Sequence, residues 1–448
     1  MPAAAQDDLQ RWTEEARDRA PQMRGLGFTR DVPVEFISRE SIGAELLEMV
    51  DRQYPEAWRI RIDRSYKAFD LVPRDSDVLG DMLELVVSQA GGFYDPHGQR
   101  IVIPDDLEQF LGDMLGGMMG GADGVAGIME PMMANILTHE FTHALQDQTH
   151  GLDELLGTSM DNDDLRLALA ALIEGDATLI GTAAMTGDLE AVLEQDPAAM
   201  AALMGATGMV GPEAAAMPPI LRESLIFPYS NGYRLIATMA QRGGMEAVDA
   251  AFADPPLSTE QVMHIEKYLG EQRDVPTAIE LPDFGLGEFG WINLGTNTLG
   301  EFQIRVLLGG SPDAIRAAEG WDGDRFAVFE HQDGRLALAW LTVWDSNEDA
   351  QQFADEYRYA DGRRFEADER RPRALEDAAG WATAQMGGEG DTTTISRKDD
   401  RVAIVRGLPA GLVDPVLNAT RGLAKTRPMT WADMRATPAD ATQPAGTP

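Results

Sequence analysis

Two histidines four residues apart, in His139-Glu140-Phe141-Thr142-His143, set the tightest local constraint in this chain. Positions i and i+4 of an α-helix lie one above the other, so both imidazoles meet one object only if the segment is helical. Glu140, three residues before His143, falls on nearly the same side. Met133, Leu137, Phe141 and Ala144 form an apolar stripe, so the same helix has a dry face to bury. Pro131 suits the first turn of that helix, and the pattern carries on to about Gln148.

Two imidazoles from one helix can point at one metal ion. A carboxylate held close to the ion without ligating it suits a general base that takes a proton from a metal-activated water. A zinc ion with two histidine ligands wants a third protein ligand and one open position. Glu174 lies 31 residues beyond His143, inside the almost wholly apolar helix LRLALAALIEGDATLIGTAAM, whose N-terminal cap is expected within 161–164. A bare carboxylate buried there is expensive, and ligation removes the problem. Asp176 is a second acid in the same apolar setting and can accept the free N–H of a ligand histidine. Asp147, four residues past His143, competes for that role. The plainer alternatives are two surface histidines on a solvated helix, and a Glu174–Asp176 end that simply faces water.

With these residues in place, the chain resembles the gluzincins, the thermolysin-like metallopeptidases that add a distant glutamate ligand to HExxH. The resemblance covers the catalytic core, roughly 78–187. HEFTHALQDQ followed by ALIEGDA, with FYDP before and PPLSTEQVMHIEKYL after, is similar to a group of bacterial members. The resemblance implies zinc held by His139, His143 and Glu174, with Glu140 as catalytic base. It also implies a zincin-like fold, an edge strand near 93–103 that binds extended peptide, and a peptide or protein substrate. A donor for the developing oxyanion is expected downstream, with His264, Tyr229 and Tyr233 as candidates. One departure is Thr178, where many gluzincins carry an acid four residues after the ligand glutamate.

Two rivals stand beside this reading. Glu140 and His143 also form a Glu-x-x-His unit of the di-iron type, but that architecture needs a second such unit on another helix, and none of the other four histidines has a glutamate three residues before it. The other rival is a non-catalytic zincin-fold binding or scaffold protein, against which an intact Glu140 argues. No GxSxG elbow or P-loop is found.

Composition narrows the partners. The net charge of -38 and pI near 4.4 repel phosphate backbones, so nucleic acid is not expected. The absence of cysteine removes disulfides and thiolate chemistry. The start MPAAAQDDLQRW carries no signal-peptide pattern, which reads as cytoplasmic, or as extracytoplasmic if a leader has been trimmed. The uncharged stretch at 197–212 is too short and Gly-rich to span a bilayer, so no integral membrane segment is expected.

The fold class expected is α+β. A mainly helical zincin-like domain with a small edge sheet spans 1–295, with its core at 78–187 and a helical extension at 188–275. A Pro- and Gly-rich change of character near 275–297 marks the boundary. An α+β sandwich of order ββαββα follows at 296–428, its hairpins at 325–345 and 392–406. Residues 429–448 read as a disordered tail, and 111–133 as a mobile stretch, either a lid over the cleft or a hydrophobic surface that meets a partner.

Overall fold

The computed structural model describes residues 3–119, 122–207, 216–365, 369–375, 380–388, 391–423 and 430–431. Its N-terminal region is helical around a small sheet. Strand β1 (Val34–Ile37) pairs parallel with β3 (Arg100–Pro104), and β2 (Phe93–Asp95) pairs antiparallel with β3. The order β1-β3-β2 leaves β2 as an edge. Ile101 and Ile103 of β3 are fully buried against the apolar stripe of the motif helix, Met133, Leu137, Phe141 and Ala144. Packing of that stripe is the term that fixes the helix in place.

The motif helix runs Ala122–His150, so Pro131 lies inside it rather than at its first turn. A proline removes one intrahelical donor and crowds the preceding turn. Here the helix Leu107–Met119 packs along the same turns and supplies tertiary support that the local signal does not reveal. The stretch expected to be mobile is therefore helical on both sides of residues 120 and 121, which lie outside the described residues.

The helix Asp163–Thr186 carries Glu174. Asn162 caps it by accepting the Leu165 amide at 3.0 Å, and Gly187, with φ 75°, ends it in the left-handed conformation. It is long and apolar enough to cross a membrane, but 72% of its apolar window is buried inside the protein. The motif helix packs on one side of it and the helix Pro219–Ala253 on the other. On that second side the backbones touch. A Cβ on Gly175 would stand 2.3 Å from the Gly232 carbonyl carbon, and one on Gly232 would stand 2.2 Å from the Ala171 oxygen.

The C-terminal region is a seven-stranded antiparallel sheet of order β4-β5-β6-β10-β9-β8-β7. Its strands are β4 (Trp291–Asn297), β5 (Trp321–His331), β6 (Leu336–Trp344), β7 (Arg373–Leu375), β8 (Ala382–Gly388), β9 (Asp391–Lys398) and β10 (Arg401–Arg406). The two expected hairpins are β5–β6 and β9–β10, joined at the centre by β6–β10. Every residue of β6 is buried. Leu338, Trp340 and Trp344 face the helices Asn347–Gly362 and Gly300–Leu308, whereas Ala337, Ala339, Leu341 and Val343 face the helix Ala410–Arg421. The sheet is thus covered on both faces, which is why β6 reads as a continuous apolar run.

Three corrections follow. The expected ββαββα order is embedded in a longer βααββαββββα: a strand and two helices precede it, and β7 and β8 come between its first helix and its second hairpin. Its first strand, β4, lies in the stretch read as a linker, so the sheet begins before residue 296. Trp431, inside the stretch read as a tail, is 8% exposed and packs in the helical core that contains Leu172 and Leu235; 432–448 lie outside the described residues. The two regions also share a core. Phe69, from the turn after the helix Glu56–Ala68, meets Phe326 and Trp340 edge-on at 5.0 and 5.1 Å. The molecule is α+β.

Candidate metal centre

His139 and His143 project from one side of the motif helix as the i, i+4 spacing requires, their rings 4.6 Å apart and nearly perpendicular. Their Nε2 atoms are 3.0 Å apart. Glu174 Oε2 is 3.2 Å from His139 Nε2 and 3.4 Å from His143 Nε2. Three donor atoms from two helices thus lie within 4.8 Å of one another. Glu174 Oε2 is sealed from solvent without a well-formed hydrogen bond of its own. Two imidazoles and a carboxylate converging in this way are a donor set that could hold a divalent metal. Burial alone would lower the His143 imidazolium pKa, but the Glu174 carboxylate overrides it and raises it to about 9. Conversely, burial would raise Glu174, and the charge of His143 leads the effects that hold it well below the usual carboxylate range.

Behind His143 a buried polar chain fixes the ring. Gln146 Oε1 lies 2.9 Å from His143 Nδ1, and the Gln146 amide nitrogen donates to the Ile173 carbonyl at 3.0 Å and to Asp176 at 2.9 Å. An amide oxygen can only accept, so Nδ1 carries a proton and Nε2 is the ring atom turned towards Glu174. Asp176 in turn pairs with Arg24 at 2.8 Å, and Arg24 reaches Asp249 at 2.6 Å. Arg24, Gln146 and Asp176 are all fully buried.

Glu140 is 8% exposed. Burial raises its pKa, the two histidines and an amide hydrogen bond from Tyr94 lower it, and the Glu174 charge raises it. Tyr94 belongs to β2, so the sheet edge touches the carboxylate directly. Tyr229 lies across the site, its ring stacked on His139 at 6.1 Å. The residue is 43% exposed, and its hydroxyl pKa is pushed well above the usual value, first by the charge of Glu174, with Glu140 and a hydrogen bond to Glu174 adding to it.

Five of the nine residues singled out from sequence therefore meet at one place: His139, Glu140, His143, Glu174 and Tyr229. Asp176 reaches His143 only through Gln146, which the sequence analysis passed over. Asp147 is elsewhere; it accepts from Tyr94 Oη at 2.8 Å, from Arg30 at 3.1 Å and from the Leu152 amide. Tyr233 is 1% exposed in the apolar core, because four residues along the helix from Tyr229 the neighbours are aliphatic. His264 pairs with the fully buried Glu301 at 3.0 Å and with Arg305, at the seam with the C-terminal region. A second acidic group, Glu260, Asp274 and Asp345, is closed around the Lys267 ammonium at 2.7, 2.8 and 2.9 Å, so a cation already fills it.

Fold and site together define an α+β protein whose helical region carries a three-donor centre and whose C-terminal sheet carries none of the three. Residues 289–417 match the model of a family described as a domain of unknown function, DUF8575, which covers the sheet from just before β4 to the last helix. No curated protein and no solved structure matches the chain.

Proposed function

We propose that this protein is a zinc-dependent hydrolase that cleaves peptide bonds, with a zincin-like arrangement of motif helix and edge strand. The observation that carries the reading is the convergence of His139, His143 and Glu174 beside a buried, unligated Glu140. Zinc held by those three residues would supply Lewis acidity, polarising a scissile carbonyl and acidifying water. Glu140 takes the proton of the attacking water and returns it to the leaving amine. The Tyr94 amide orients the Glu140 carboxylate for both transfers. Tyr229 keeps its proton at neutral pH and is the donor facing the same space, which suits it to steady a developing oxyanion. An extended peptide laid along the free edge of β2 would bring its carbonyl over the centre.

The test is metal content by mass spectrometry, followed by a peptide-library screen. Wild type should carry zinc, and His143→Ala and Glu174→Ala should lose or weaken it. Glu140→Gln should keep the zinc and lose about 10²–10⁴-fold in turnover. No zinc in wild type after zinc is supplied, or full activity in Glu140→Gln, would sink the proposal.

A further inference from the structure

Along the helix Asp163–Thr186, Arg166, Ala170 and Glu174 are half-exposed, while the residues between them are buried apart from Leu167. Every fourth position of an α-helix turns by only about 40°, so the three side chains leave on one side. Glu174 is a donor of the candidate centre. Arg166 stands 174 − 166 = 8 residues before it, about 12 Å along the axis at a rise of 1.5 Å per residue.

A cavity of about 180 Å³ opens at Arg166. That is room for about six waters, the size of one side chain rather than of a whole ligand. Asp95, Pro96 and His97, at the end of β2, also line it. The residue before them, Tyr94, gives its amide to Glu140. Both β2 and the Glu174 helix therefore lead from the centre to this cavity.

Arg166 fronts the cavity without a carboxylate of its own. One terminal nitrogen lies 3.3 Å from Tyr54 Oη and the other 2.9 Å from Met160 Sδ, both neutral partners, and it makes no ion pair among the described residues. Tyr54 and Trp58, stacked on each other, lie 5.0 and 5.3 Å from the guanidinium and fix its plane. Behind it, Arg61, Arg166 and Arg325 share Asp161 and Asp163, three cations to two carboxylates. Of the acids in the cavity, Asp95 is taken by Arg52 at 3.2 Å and Arg100 at 3.6 Å, and Asp153 is exposed at the mouth, where water screens it. A guanidinium held flat with its charge left over is a draw for a carboxylate, all the more in a chain of net charge -38.

We propose that Arg166 sets substrate specificity at the candidate centre, and that the cavity takes a substrate carboxylate, from an acidic side chain or a free C-terminus, three or four residues from the scissile bond. The spacing is about 12 Å divided by the 3.3 Å that an extended residue covers. The inference rests on the hydrolase reading above.

The experiment uses the full-length, zinc-loaded chain and internally quenched alanine-rich decapeptides. One Glu or one Gln is walked along the peptide, each made as free acid and as amide, and cuts are mapped by mass spectrometry. A carboxylate three or four residues from the cut should raise kcat/KM about tenfold over the matched Gln or amide peptide. Preference that follows the Glu marks a side chain, and preference that follows the free acid marks a C-terminus. Arg166→Gln should bring the ratio close to one, and Arg166→Lys should keep part of it. Cleavage indifferent to the carboxylate overturns the inference and leaves the hydrolase reading standing. So does an Arg166→Gln variant that slows both members of a pair alike and keeps their ratio. If nothing is cleaved, the same peptides are titrated, fluorescein-labelled, onto chelated protein. Binding that needs the carboxylate and is lost in Arg166→Gln upholds the subsite while the hydrolase reading falls; binding indifferent to the carboxylate, or none, overturns the subsite as well.

Discussion

Gln146 decides which lone pair His143 offers, because an amide oxygen at Nδ1 admits only the tautomer that is protonated there. Gln146→Leu keeps the volume and removes the acceptor. It should weaken zinc binding by about 10–100-fold with the fold intact, measured by competition with a chromophoric chelator. The legibility of the site follows from the same chemistry. His139, Glu140 and His143 declare themselves by spacing, and Glu174 by the expense of burying a carboxylate in an apolar helix. Gln146 sends no such signal, since a neutral amide on a helix is commonplace; only its place beside the apolar stripe hints at burial. Arg24 is harder still, because its partner Asp176 lies 152 residues away. Of the three oxyanion candidates, the residues alone gave no reason to prefer Tyr229. That choice depends on where one helix crosses another.

Helix crossings are set at contacts that have no side chain to advertise them. Gly175 and Gly232 let the helices Asp163–Thr186 and Pro219–Ala253 meet backbone to backbone, and this brings Tyr229 up to Glu174. Gly232→Ala should cost about 1–3 kcal/mol by overpacking, read as a lower Tm, and should reduce turnover more than zinc content. The same helix pays its N-terminal dues in polar bonds to later chain: Asp164 accepts the Thr259 amide at 3.1 Å, and the Asp163 amide donates to Asn297 at 2.9 Å. Burial raises the Asp164 carboxyl to about 8, with Thr259 opposing and Asp324 and Glu301 adding to it. A folded-state pKa above the unfolded one, here 3.8 to about 8, gives stability that is fully present below the lower value and is lost as pH rises through the upper. Tm should therefore fall from pH 5 to pH 8 more steeply in wild type than in Asp164→Asn, a comparison that cancels the general repulsion of an acidic chain. At this scale the hairpins were legible from Gln332-Asp333-Gly334 and from flanking apolar runs. β4, β7 and β8 were not, because glycine, polar residues and short length erase the alternation.

Taken whole, the chain does not divide where its composition does. Phe69 stands in the C-terminal core, Trp431 in the helical one, and Arg325 bonds the Asp161 carbonyl at 2.7 Å across the seam. Calorimetry should show one unfolding transition rather than two. Phe69→Ala should lower stability by about 3–5 kcal/mol and keep that transition single. Two separated endotherms would contradict the shared core. The Pro- and Gly-rich stretch misled because such residues mark turns, and turns occur inside a cooperative unit as readily as between two.

The position of Phe69 also has a consequence for biosynthesis. Chains emerge from the ribosome N-terminus first, and early segments generally fold as soon as their partners exist. The residues of the candidate centre are all made by position 229, yet Phe69 waits for Trp340, and the first amide of the Glu174 helix waits for Asn297. A nascent chain therefore carries every residue of the centre well before it can hold them still, and maturation of the site is timed by translation of the sheet.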